Sequence, residues 1–319
     1  MLALVEITYW HWAGFIACVL VFLALDLGLF HRRAHVVKFR EALAWTAVWF
    51  SVAMLFAAGL HPLRGPKESL EFLTGYLIEL SLSMDNVFVI ALIFAYFQIP
   101  GQYQHRVLFW GIVGALIMRG LMIGAGAVLI SWLHWILYVL GAFVLFTGVK
   151  MLFVKTEVHP EKNRVVKWVR KVYPVTTQLD GQKFVTIWKG RKALTPLALV
   201  LVMVETTDLI FALDSIPAIF AVTTKPFIVF TSNVFAILGL RSLYFVLAGA
   251  LDYFRYLKVG LSLVLVFIGI KMLLDPHGGH ERWFQVEIPI TVSLLVVGGI
   301  ILISIILSLT VGRQKKSKA

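Results

Sequence analysis

Glu205 to Thr223, ETTDLIFALDSIPAIFAVT, carries three carboxylates (Glu205, Asp208, Asp214) and Pro217 inside an apolar run long enough to cross a bilayer. Ionisable side chains at that depth cost roughly 2.5 to 3.5 kcal/mol each to insert, so they mark function rather than packing. An earlier stretch, Glu79 to Ile90, ELSLSMDNVFVI, repeats the theme. Together the two predict one cation site built from both.

The surrounding chain supports a membrane setting. It has 319 residues, 60% hydrophobic and 14% charged, with the apolar residues in runs of around twenty. About 20 apolar residues span the hydrocarbon core, so the expectation is an all-α polytopic membrane protein. Nine spans are read, at 10–30, 42–60, 70–97, 106–129, 132–153, 195–222, 227–250, 257–274 and 288–311. They form a single transmembrane domain over 1–319. No basic leader or small-residue cleavage site precedes the first run, which is therefore read as a retained helix.

The formal charge of +12 at first suggests nucleic acid, but the basic residues lie in the gaps between apolar runs. Alternate gaps hold 22 and 5 of the 29 Lys and Arg, and the last two, Arg119 and Arg241, lie within spans. This bias predicts an N-terminus outside and a C-terminus in the cytoplasm. Nucleic acid is not expected as a partner, and the bilayer is. The lone Cys18 excludes an intramolecular disulfide and argues against dithiol redox chemistry.

One long connection, about 154–194, falls on the cytoplasmic side. Its EKNRVVKWVRKVY segment places Val165, Val166, Trp168, Val169 and Val172 among basic residues, which suits either a short helix on an anionic membrane surface or a solvated linker. QKFVTIWKGRKALT after it reads as a hairpin about Lys189-Gly190.

Sliding the chain against itself matches three successive spans with three later ones. Glu79-x5-Asp85-Asn86 aligns with Asp208-x5-Asp214-Ser215, Arg119 in ALIMRGLM with Arg241 in AILGLRSLY, and FTGVKML with FIGIKML. Three is an odd number, so the second copy runs opposite to the first. The prediction is two inverted three-helix repeats, about 70–153 and 195–274, with the accessory helices 10–30, 42–60 and 288–311, an architecture used by transporters that bind substrate near the midplane.

Antiparallel crossing of the third and sixth spans puts Glu79 and Asp214 at an outer level, and Asp85, Asp208 and Glu205 at an inner one. Pro217 frees the carbonyl of Leu213, which suggests a broken helix beside Asp214. Six intramembrane acids, these five and Asp26, face two arginines. Such a balance needs bound cations or protons. The donors are hard oxygens suited to Mn, Mg or Ca, and no Cys or His cluster favours Zn or Cu(I). Glu79, Asp85, Glu205, Asp208 and Asp214 are the expected metal ligands. Met84 is a thioether ligand or packing, and Asn86, Ser215 and Asn233 are further ligands or interhelical bonds. Arg119 and Arg241 are counter-ions or substrate partners, and Asp26 is a gate, proton carrier or hydrogen-bond partner. No nucleophile–base pair, phosphate loop or cofactor fingerprint is present, so no enzyme activity, catalytic residue or tightly bound cofactor is expected.

YLIELSLSMDNVFV, ETTDLIFALDSIPAIFAVT and FIVFTSNVFAILGLRSLYF resemble signature segments of the TerC family of bacterial integral membrane proteins, its Alx-like branch in particular. The resemblance covers nearly the whole chain, including ALDLG in the first span and FTGVKM in the fifth. It implies manganese efflux, with Mn2+ as the transported ion and the five acids on its path; older associations are tellurium resistance and redox modulation. A Ca or Na exchanger coupled to protons and a non-transporting modulator are the rival readings. Metal preference, transport direction and oligomeric state stay open.

Overall fold

A computed structural model describes residues 6–25, 38–153, 164–188, 190–248, 255–276 and 285–316. Among the described residues nine apolar helices occupy the nine expected positions: α1 (Tyr9–Leu25), α2 (Phe39–Arg64), α3 (Pro66–Tyr96), α4 (Gly101–Trp132), α5 (Ile136–Phe153), then, after a short helix α6 (Arg164–Val172), α7 (Pro196–Phe220), α8 (Pro226–Ala248), α9 (Arg255–Leu274) and α10 (Ile290–Lys316). Eight are long and apolar enough to cross a membrane; the described part of α1 has 17 residues. Asp26, the acid expected just beyond it, lies outside the described residues.

The boundaries follow local chemistry. Gly65, at φ +86°, turns the chain between α2 and α3 in a conformation that suits glycine, and Pro66 opens α3 where its missing N–H costs nothing. Pro196 opens α7 in the same way after extended Thr195. Pro217 does not break α7. The helix runs through it to Phe220: the proline takes one bond from the carbonyl of Leu213, and only three residues follow it. Its effect is to end α7 early, and buried Lys271 of α9 donates a 3.3 Å hydrogen bond to the carbonyl of Ala221 just past that end.

Helix α8 is the enclosed centre of the bundle, with 94% of its spanning window buried against 22% for α2, α4, α5 and α10. The strongest close approach is between α5 and α9. A Cβ on Gly148 would lie 2.8 Å from the backbone nitrogen of Val266, and one on Gly269 would lie 2.6 Å from that of Leu145. Gly141 faces Met272. Numbers rise along α5 as they fall along α9, so the two run antiparallel with glycine giving each backbone access to the other. Helices α3 and α7 are antiparallel as well: Gly75 meets Ile219 at one end and Asn86 bonds Asp208 toward the other.

The connection after α5 folds as the sequence suggests. β1 (Val185–Trp188) and β2 (Arg191–Leu194) form an antiparallel hairpin, with Gly190 at φ +76° in the turn and Lys189 outside the described residues. Thr186 and Lys183 donate to Asp180 at 2.7 and 3.1 Å, and these bonds hold its carboxyl below the usual range. In α6, Val166 is buried and packs with Val169 among Leu197, Leu199 and Val200 at the start of α7. Val165, Trp168 and Val172 lie on the adjoining arc and are exposed, bordered by Lys167 and Lys171. A helix of this pattern beside the end of a membrane span is placed to lie in the interface.

Two predictions follow from this packing. Gly269→Ala should lower stability by roughly 1–3 kcal/mol, because its methyl meets backbone that cannot rotate away; Gly298→Ala in α10, where nothing lies within 4 Å, should cost nothing measurable. Thermal unfolding in detergent compares the two. In vesicles of brominated anionic lipid the quenched share of the tryptophan emission should fall in Trp168→Phe relative to the unsubstituted chain, the remainder coming from exposed tryptophans of the spanning helices such as Trp110 and Trp132.

Candidate functional site

The site forms where α3, α4, α7 and α8 meet, and its centre is Arg119 of α4, 2% exposed. Its Nη1 donates to Oε1 of Glu79 on α3. Its Nε and Nη2 donate side-on to the two oxygens of Asp208 on α7, at 3.1 and 2.8 Å. Nη1 also lies 3.4 Å from Ser215 Oγ and from Asn233 Oδ1. Asp208 accepts a further bond from Asn86 Nδ2 at 3.2 Å. One guanidinium thus ties two buried carboxylates from two antiparallel helices, and its planar fork is what allows it to serve both.

This knot leaves oxygen atoms over. Glu79 Oε2, Ser83 Oγ and Asn86 Oδ1 are buried without a hydrogen-bond partner among the described residues. All three belong to one face of α3, since steps of four and three residues keep nearly the same direction around a helix. Glu205 Oε2 and Asn233 Nδ2 are in the same condition. A buried polar atom without a partner carries a desolvation cost of roughly 1–3 kcal/mol, so five together at one crossing need an explanation. With Glu79 and Asp208 ionised the knot keeps one net negative charge.

The expected acids are not gathered at one point: no group of three or more His, Cys, Asp or Glu side chains close enough to hold a metal occurs among the described residues. Glu79 and Asp208 meet on Arg119. Glu205 adjoins Asp208 and fits against Gly114 of α4, where an added Cβ would lie 2.0 Å from its Oε1. Asp85 is half-buried and turned toward Lys258 of α9. Asp214 bonds Thr147 and faces Lys150, both on α5. The outer and inner levels expected for these acids are therefore bridged, because the arginine reaches from Glu79 at one level to Asp208 at the other. Met84 is half-buried and packs with the apolar cluster around Val87, Ile90 and Leu243, which is the packing alternative. Arg241 is buried and lines a cavity of about 20 Å³ with Asp208, room for one water.

Sequence reasoning missed Ser83, Gly114 and Thr147. Ser83 was accessible through its four-residue spacing from Glu79. Gly114 and Thr147 act through contacts between helices that no spacing within one helix reveals.

The comparisons with known proteins agree with this picture of a helical membrane protein. The model of the integral membrane protein TerC family matches residues 64–316. The chain belongs to the TerC family. Among its relatives, an uncharacterized membrane protein of Myxococcus xanthus is 54% identical over 304 residues, covering 95% of this chain and 93% of the relative. A protein of Escherichia coli K12, provisionally named the membrane-bound redox modulator Alx, is 47% identical over 312 residues, 93% of each chain. Its Salmonella typhi counterpart is 46% identical over 317 residues, 96% of each chain. No solved structure matches the chain.

Removing the guanidinium isolates the energetic part of this site. Arg119→Leu leaves Glu79 and Asp208 buried without a counter-ion and should destabilise the protein by about 3–5 kcal/mol in denaturant unfolding. Adding Asp208→Asn to that variant should recover part of the loss, since one of the two uncompensated charges is gone.

Proposed function

We propose that this TerC protein exports a hard divalent cation, manganese foremost, across the bacterial inner membrane by alternating access. The observation that carries the reading is the row of buried, unpartnered oxygens on α3, Glu79 Oε2, Ser83 Oγ and Asn86 Oδ1, beside the carboxylates of Glu79 and Asp208. Carboxylate, hydroxyl and amide oxygens are the donor set of Mn and Mg, and their burial without partners suits a visiting cation better than a permanent hydrogen-bond network. Arg119 offsets one of the pair's two charges while no ion is bound. A cation entering the knot displaces the guanidinium from at least one carboxylate, so binding is coupled to a local rearrangement. Asp85, Asp214 and Glu205 lie above and below this station and give the ion successive carboxylates along its path.

The inverted repeat belongs to the same reading. Its support is the antiparallel packing of α3 on α7 and of α5 on α9, together with the mutual contacts of the matched Gly148 and Gly269. Proton antiport follows chemically, because carboxylates shed protons on taking up metal and can carry them back. The charge bias places the N-terminus in the periplasm and the C-terminus in the cytoplasm. The redox role in the name of the Alx relatives is the rival reading. This chain has a single cysteine, Cys18, exposed on α1, so dithiol exchange needs a thiol from another molecule.

Manganese uptake into inverted vesicles tests the proposal. Glu79→Gln and Asp208→Asn should each cut uptake at least about tenfold, the lower range for disturbing a metal's surroundings. Asp85→Asn and Asp214→Asn should slow it too. Wild-type uptake in all four variants rules the site out, and equal competition by Ca or Na assigns a different cargo.

A further inference from the structure

The two arginines stand in different relations to one carboxylate pair, and the repeat makes that difference informative. Under the match, Glu79 corresponds to Asp208 and Arg119 to Arg241. Exchanging the halves therefore turns the contact of Arg119 with Glu79 and Asp208 into a contact of Arg241 with the same two residues in swapped order. By that symmetry either arginine can address the one pair.

In this conformation Arg119 holds the pair. Arg241 is on the other side of Asp208, across the cavity of about 20 Å³ that the two share with Gly111 and Ala115. The cavity has a counterpart that is filled. Gly111 corresponds to Asn233, and Asn233 lies 3.4 Å from Arg119. On the Arg119 side an amide occupies the space; on the Arg241 side glycine leaves it open beside Asp208.

We infer that Arg241 is the alternate partner of Glu79 and Asp208, and that the carrier changes its open side by passing the carboxylate pair from Arg119 to Arg241. The step rests on the inverted repeat and alternating access proposed above. It explains how an empty carrier returns without exposing two uncompensated buried charges, since the pair keeps a tethered cation in each end state. The substrate ion enters between releases and takes the place of either guanidinium. In this conformation a cavity of about 650 Å³ lies at the C-terminal end of α7, bordered by Phe220, Val222 and Lys225 and separate from the pair, and the exchange assigns it as the mouth that is open while Arg119 holds the pair.

The test reads the conformational balance directly and needs no flux. Val222→Cys in a Cys18→Ser background reports the opening by its rate of labelling with a membrane-impermeant maleimide. Lysine replaces each arginine in turn, because it keeps the charge and the fold but cannot grip two carboxylates with one fork. Arg119→Lys should slow labelling at least threefold, and Arg241→Lys should speed it. Opposite signs are the signature that loss of stability alone does not produce. Shifts in one direction, a shift in only one variant, or no shift in either overturn the exchange. Labelling is read on right-side-out vesicles, where the C-terminal end of α7 faces the medium, and manganese uptake by the chain with both arginines unsubstituted, in inverted vesicles, separates the two proposals. Opposite shifts without uptake leave the exchange standing and remove the metal reading, and uptake without opposite shifts does the reverse.

Discussion

The whole arrangement depends on a guanidinium buried between two carboxylates. A charge at that depth persists only with opposite charge and hydrogen bonds around it, and Arg119 obtains both from α3 and α7 at once. The geometry constrains everything nearby. The two helices must cross closely and run in opposite directions, so that Glu79 of one and Asp208 of the other reach one fork. Helix α4 must pass beside α7, which Gly111 and Gly114 permit by presenting no side chain to Val204 and Glu205. Helix α8 must close the remaining side, and it does so with Asn233 toward the arginine and with almost no surface left over.

The frame that holds this crossing is apolar and close-packed. In a bilayer no hydrophobic force drives helices together, so close backbone approach supplies the attraction. Gly148 and Gly269, which the sequence match pairs, provide it for α5 and α9. The two matched stretches differ at Pro217, three residues before α7 ends. The counterpart of Pro217 is Phe88, well inside α3, and α3 continues to Tyr96. The shortened α7 leaves the space that the cavity around Val222 occupies, and Lys271 satisfies the carbonyl of Ala221 at its edge.

Much of this was legible in the chain. Apolar run length places all nine helices, because the bilayer sets a length that composition must meet. The acids stand out for the same reason: a carboxylate is costly among leucines and needs a purpose. The meeting of Glu79 and Asp208 was harder to read. Helical spacing assigns them to different levels, and only the reach of an arginine from a third helix joins them. Pro217 misled because freeing the carbonyl of Leu213 removes one bond without breaking the helix, which continues three residues further to Phe220. Asp85 and Asp214 carry the same motif as the central acids but face α9 and α5, a matter of rotation about the helix axis that one helix cannot reveal about its neighbours.

Glu205 is where the proposed halves differ most in charge. Its counterpart is Tyr76, packed with Ala236 among aromatic rings on Phe72, while Glu205 itself fits against Gly114, the counterpart of Ala236. Glycine and carboxylate on one side replace alanine and phenol on the other. The exchange is self-consistent, because a Cβ at position 114 would overlap the carboxylate, and an acid against alanine would lose its space. A carrier whose halves were identical would have end states of equal energy and no inherent direction. Any preference between them must arise where the sequences diverge, and a partly buried acid beside Asp208 that is present on one side only is the largest such electrostatic difference at the site.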